Sequence, residues 1–311
     1  LEPDLDGLEF TGSVRIDLTT GGCSSIELDS VELEIDGCHE LRNRRALELQ
    51  YSLTEGTINI QLGPDSSDQI ELAIDFHGKL NRDLRGLYAA SYMHEGEKKH
   101  LAVTQFEEIE ARRAFPCFDH PKFNTPFVIE LVIGEGQAAI ATTRVEEETT
   151  LEDGRKLVRF RRTPPMPTYL LFFGTGNFEF LEGTECHVPI RVAATPGKAA
   201  YGAKSIEFAR KSIEFCEAFT GVDYPVDKLD LIAVPEFAYG GMENLGAITY
   251  RENLLLYYPD VVSRVGLQNI AAINAHEVAH MWFGDLTSPR DWQFVWLNEA
   301  FATYVGNLIL D

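Results

Sequence analysis

The 311-residue sequence has no run approaching the roughly 20 apolar residues needed to span a bilayer, so membrane insertion is not expected. Cysteine is scarce as well. Cys23, Cys38, Cys117, Cys186 and Cys216 are odd in number and none stands in CxxC spacing, which argues against a disulfide framework and against a thiolate metal site. All five are read as reduced thiols of a cytoplasmic protein, with a Cys23 to Cys38 disulfide as the one alternative that sequence proximity allows. Positive charge is also short. Lys and Arg total 27 against 49 Asp and Glu, and the formal charge of -22 repels phosphate backbones and anionic lipid surfaces, so nucleic acid is not expected as a partner. The sequence opens at Leu1 without an initiating Met or a signal peptide, and an upstream segment is expected to have been removed.

What is present is a globular composition. Hydrophobic residues make up 44% and aromatics 11%, enough to fill packed cores and to exclude disorder over the whole chain. The length suits two domains. In the first half apolar and polar residues alternate with period two, in Leu8 to Leu18, Ile26 to Ile35, Leu47 to Leu53, Ile58 to Leu62 and Ile70 to Phe76, which predicts strands. Turn residues such as Gly21-Gly22, Gly63-Pro64-Asp65 and Asn81-Arg82-Asp83 separate them, so an antiparallel sheet or sandwich is expected over residues 1–195. After Thr195-Pro196-Gly197 the period lengthens. Ile206, Ala209, Ile213, Cys216 and Phe219 predict an amphipathic helix ended by Thr220-Gly221. A second helix is expected from about Val265 through Trp282, stopping near Gly284, and a third from near Leu297. Residues 196–311 are therefore assigned to a second domain.

The chemistry gathers in that second domain. In His276-Glu277-Val278-Ala279-His280 the histidines are four apart, so both imidazoles project from one helical face and can reach one ion. Glu277 is rotated away from them yet close enough to act on a water at the metal. On these five residues alone, an amphipathic helix with two incidental histidines remains an open alternative. Glu299, in Trp296-Leu297-Asn298-Glu299-Ala300, adds a carboxylate from the next helix. Two His and one Glu, with a fourth position left for water, is a catalytic rather than a structural zinc set. Asp285, Asn298 and Thr303 are candidates for holding the ligands in place, with no spacing rule to choose among them. Tyr239-Gly240-Gly241-Met242-Glu243-Asn244-Leu245-Gly246 is glycine-rich, so backbone can approach an extended peptide, and Glu243 puts a negative charge where a free α-amino group would need one. A surface turn with a solvated Glu is the alternative for that segment.

Taken in order, these segments resemble the aminopeptidase N family of gluzincin metallopeptidases. The marks are Gly240 to Asn244, the HExxH at 276–280 with Glu299, and Thr104-Gln105-Phe106-Glu107 leading to Arg112-Arg113-Ala114-Phe115-Pro116-Cys117-Phe118-Asp119. The resemblance implies that His276, His280 and Glu299 bind one Zn2+ and that Glu277 activates water. It also implies that Glu243 binds the substrate ammonium, that Gln105 and Glu107 line the first pocket, and that Gly240, Gly241, Met242 and Asn244 complete the peptide site. The implied fold is mixed: an amino-terminal antiparallel β saddle or sandwich, then the first part of a thermolysin-like α+β catalytic domain, truncated before the family's transition-state Tyr. The implied activity is release of single amino-terminal residues from peptides with a free amino terminus. Two departures stand out: Gly241 replaces a commoner Ala, and Asp119-His120-Pro121 replaces Asp-Glu-Pro, with His120 read as structural. A catalytically incomplete fragment serving as a folded or binding module is one rival reading. A thermolysin-type endopeptidase is another, and Glu243 argues against it. No feature of the sequence assigns an oligomeric state.

Overall fold

The alternating segments pair into antiparallel sheets, because one apolar face can then be buried while the other stays wet. A computed structural model describes residues 1–41, 45–52, 56–63, 67–183 and 186–311. Leu53, at the end of one expected strand, and Pro64 and Asp65 of one expected turn lie outside these residues. Glu9–Thr19 pairs along its whole length with Gln69–Lys79, whose other edge takes Leu33–Glu40. Ser25–Asp29, Thr57–Gln61 and Glu48–Ser52 form a second sheet. Leu28, Ile58 and Ile60 from one sheet and Leu72 and Ile74 from the other share one core, a sandwich arrangement.

The alternation from Ile26 to Ile35, expected as one strand, is two strands in two different sheets. Glu32 adopts a left-handed φ of 58°, and the N–H groups of Ser30 and Val31 bond to the carbonyls of Gly56 and Arg112. The apolar positions slip by one residue there, from Ile26 and Leu28 to Val31, Leu33 and Ile35, and the chain crosses between the sheets at that slip.

The sheet that carries the site is mixed. Its order is Glu179–Glu182, Ile190–Ala194, Leu229–Val234, Ala247–Arg251 and Gly241–Met242, with the three central strands parallel and the outer two antiparallel. All six residues of Leu229–Val234 are buried, as expected for a parallel strand covered on both faces. Two of the five strands precede residue 195, so the expected boundary there falls inside this sheet. Helix α1 (Ala203–Thr220) makes the crossover between Ile190–Ala194 and Leu229–Val234. It buries Ala209, Ile213 and Cys216 and ends on Gly221, whose φ of 70° suits a left-handed cap.

Helix α2 (Arg264–His280) is capped by Ser263, whose side chain accepts a bond from the Gly266 N–H, and α3 (Val295–Leu310) packs back across it. Between them a widened turn, Met281–Leu286, is broken by Phe283 and Gly284, the latter at a φ of 147°. Buried Lys228 ties this unit to the preceding β domain: its ammonium donates to the Ala141 carbonyl (2.6 Å), the Gly246 carbonyl (2.7 Å) and Asp230 Oδ2 (2.8 Å). All five cysteines are free thiols, and burial pushes Cys38 up to about 11 and Cys216 up to about 12. Among the described residues no helix is long and apolar enough to cross a membrane.

Candidate metal centre

One helical turn separates His276 from His280, and their Nε2 atoms lie 3.1 Å apart with the rings crossed at 85°. The second turn of α3 brings Glu299 to the same point, with Oε2 3.4 Å from His276 Nε2 and Oε1 3.6 Å from His280 Nε2. Three tetrahedral donors, each about 2.0–2.1 Å from a zinc-sized cation, would stand about 3.3 Å from one another. The separations of 3.1 Å between the rings, 3.4 Å to Oε2 and 3.6 Å to Oε1 of Glu299 bracket that spacing, so the two imidazoles and the carboxylate fit such an ion. His280 is fully buried and the Glu299 side chain is half exposed, which leaves an open side toward solvent.

The second ring nitrogen of His280 has a partner. Nδ1 lies 3.2 Å from the Phe283 carbonyl and donates to it, which assigns the tautomer that leaves the Nε2 lone pair free for a cation placed between it, His276 and Glu299. The break after α2 makes this possible, because it swings the Phe283 carbonyl inward. At Gly284 a Cβ would sit 3.0 Å from His280 Nδ1, so the close approach needs glycine there.

Glu277 is buried on the flank facing the edge strand Gly241–Met242. A Cβ on Gly241 would come within 2.5 Å of the Glu277 carboxyl carbon, so the carboxylate rests directly on the glycine backbone. That strand is outermost in the sheet, its residues Gly241 and Met242 opposite Tyr250 and Thr249. Glu243 follows it and is buried, with Oε1 3.7 Å from His280 Nδ1. Asn244 is fully buried, and its amide donates to Thr249 Oγ1 at 3.1 Å; its side chain therefore holds the turn that presents Glu243. Gln105 ends the strand Glu97–Gln105 and is buried with neither amide atom partnered among the described residues, two residues before Glu107.

Carboxylates crowd the site. Ligand oxygens of Glu107, Glu243 and Glu299 lie within 4.8 Å of one another, as do donor atoms of Glu243, Glu277 and His280. Burial first, and then Glu243 and Glu299, push the Glu107 carboxyl up to about 9. Burial first, and then Glu243, Glu299 and Glu107, push Glu277 well above the ordinary range. Glu299 moves the other way, held down by its bond to His276. The cavity is short of positive charge, and cations placed among these groups would relieve the strain of their mutual repulsion.

Other members of the cluster have weaker sequence signals. Tyr169, from the β domain, donates to the Gly284 carbonyl at 3.3 Å and meets Trp292 edge-on. Burial, then Glu243, Asp285 and Glu107, raise its hydroxyl far above normal, yet no local motif marks it. Asp285 is buried with both carboxylate oxygens unpartnered among the described residues. His120 lies apart from these groups in the chain's order and accepts a bond from the Lys122 N–H, a loop contact.

Comparison with known proteins bears on this arrangement. Residues 1–170 match the model of the peptidase M1 N-terminal domain, and residues 204–311 match that of the peptidase family M1 domain. The chain belongs to the M1 peptidase family. This M1 chain is 38% identical to aminopeptidase M1-A of Oryza sativa subsp. japonica over 325 residues, covering 100% of the chain and 36% of the relative. It is 35% identical to aminopeptidase 2 of Candida albicans (98% of the chain, 33% of the relative). It is 38% identical to the probable aminopeptidase 2 of Sulfurisphaera tokodaii (99% and 38%). The M1 chain thus spans about a third of the length of these curated relatives.

Proposed function

We propose that this chain carries the metal and amino-terminus sites of a zinc aminopeptidase that removes single residues from peptides with a free amino terminus. The observation that carries the reading is the convergence of His276, His280 and Glu299 beside a second group of carboxylates, Glu107 and Glu243. His276, His280 and Glu299 would hold one zinc ion, which when bound supplies Lewis acidity at the scissile carbonyl and acidifies water. Glu277 takes the proton of the attacking water. Glu243, with Glu107, pairs with the substrate ammonium, which fixes the first peptide bond at the reacting centre. Gly240, Gly241 and Met242 offer backbone to an extended peptide, and Gln105 lines the pocket for its first side chain. We place the division between the domains before Glu179, since Glu179–Glu182 and Ile190–Ala194 hydrogen-bond into the sheet of the site. The free thiols favour a reducing, cytoplasmic compartment.

Two measurements test the reading. Free zinc at 100 times its Kd should stabilise the chain by about 2.7 kcal/mol in thermal or denaturant unfolding, and Glu299→Ala should abolish most of that gain. An unchanged melting curve with zinc would refute the ligand set. In the enzyme that carries this chain, Glu243→Ala should lower kcat/KM for aminoacyl substrates by about 10- to 100-fold, the range of a lost charge-assisted hydrogen bond. Amino-acetylated versions of the same substrates should not be cleaved; efficient cleavage of them would favour an endopeptidase.

A further inference from the structure

Helix α3 grips one residue of α2 from three sides. Glu299, Thr303 and Gly306 are spaced four and three apart, so they share one stripe of α3. Glu299 Oε2 lies 3.4 Å from His276 Nε2. Thr303 Oγ1 lies 3.5 Å from the other ring nitrogen, Nδ1, at the outer limit of a hydrogen bond. Gly306 sits against the His276 backbone, where a Cβ would be 3.2 Å from both N and Cα. The helices therefore approach closely at His276, and the missing side chain at 306 lets the hydroxyl at 303 come within reach.

His280 and His276 are held by different means. His280 Nδ1 donates to the backbone carbonyl of Phe283 in the turn after α2, not to a side chain. Among the described residues, the partner of His276 at Nδ1 is the Thr303 hydroxyl. We propose that Thr303 is the positioning residue of His276: Nδ1–H donates to Thr303 Oγ1, which selects the tautomer with the Nε2 lone pair directed at the metal. This rests on His276, His280 and Glu299 being the ligands. Valine at 303 keeps the shape of threonine and removes the acceptor, so the ring loses its tautomer preference and its orientation while the helix contact stays.

The test uses the full chain, its Thr303→Val and Thr303→Ser variants, and zinc as the probe. Zinc affinity is measured by competition with a chromophoric chelator, alongside melting of the metal-free proteins. Thr303→Val should bind zinc about 10-fold more weakly or worse, in the range found for partners of metal-bound histidines, with metal-free melting unchanged. Thr303→Ser should recover the affinity to within about threefold, since the acceptor is back. Wild-type affinity in Thr303→Val, or equal weakening in both variants, overturns the role of Thr303. A wild-type chain that takes up no zinc overturns the ligand assignment itself, and the two failures are distinct.

Discussion

Changing Glu277 to alanine should leave zinc bound and lower kcat by about 10²- to 10⁴-fold, the usual contribution of a positioned general base. Metal content should hold because His276, His280 and Glu299 make the converging donor set without it. The loss should fall on turnover because the Glu277 carboxylate is buried and pinned against the Gly241 backbone, where no solvent group replaces it. Glu277→Gln keeps the shape and should lose nearly as much, which separates proton transfer from packing. Metal analysis with single-substrate kinetics on the enzyme that carries this chain decides the matter. A wild-type rate in either variant would end the assignment of Glu277 as base.

Lys228→Met should cost about 3 kcal/mol of folding stability, the lower end for breaking a buried ion pair by removing one partner. The ammonium is buried and donates to two carbonyls and a carboxylate. Without it the carbonyls of Ala141 and Gly246 lose their donor, and Asp230 keeps only the guanidinium of Arg191. Burial favours the neutral acid at Asp230, but Lys228 and Arg191 outweigh it and hold the carboxyl below the ordinary range. The surviving Arg191 contact is why the lower end of the range applies. Urea unfolding measures it, and a change below about 0.5 kcal/mol, typical of a surface position, would show that the network contributes little. Because Gly246 lies in the turn Asn244–Ala247 that directly follows Glu243, Lys228→Met should also raise KM more than it lowers kcat.

Much of the site was legible because its spacing is local. The interval of four in His276 to His280 dictates a shared helix face, and Gly221 marks the end of α1 by its left-handed φ. Glu299 was legible as a carboxylate on the next helix, though only packing of α3 on α2 brings it to the rings. Other features depend on contacts far apart in sequence. Tyr169 reaches the turn at Gly284 across 115 positions, and Lys228 reaches Ala141 across 87. The strands Glu179–Glu182 and Ile190–Ala194 belong with Leu229–Val234, but the change in period after residue 195 reports only where helix begins. Asn244 illustrates the limit of motif reading: it stands beside Glu243, yet its side chain serves the turn.

The edge strand at Gly241–Met242 is two residues long. A peptide laid beside it would make few backbone hydrogen bonds, each contributing about 0.5–1.5 kcal/mol. So short a ladder cannot act as a ruler. Under the proposed function the end stop would be the acidic pair Glu107 and Glu243, whose carboxylates stand close together beside Glu299. With that pair as the stop, a dipeptide and a long peptide would dock alike on this edge, since two residues of strand offer both the same few bonds.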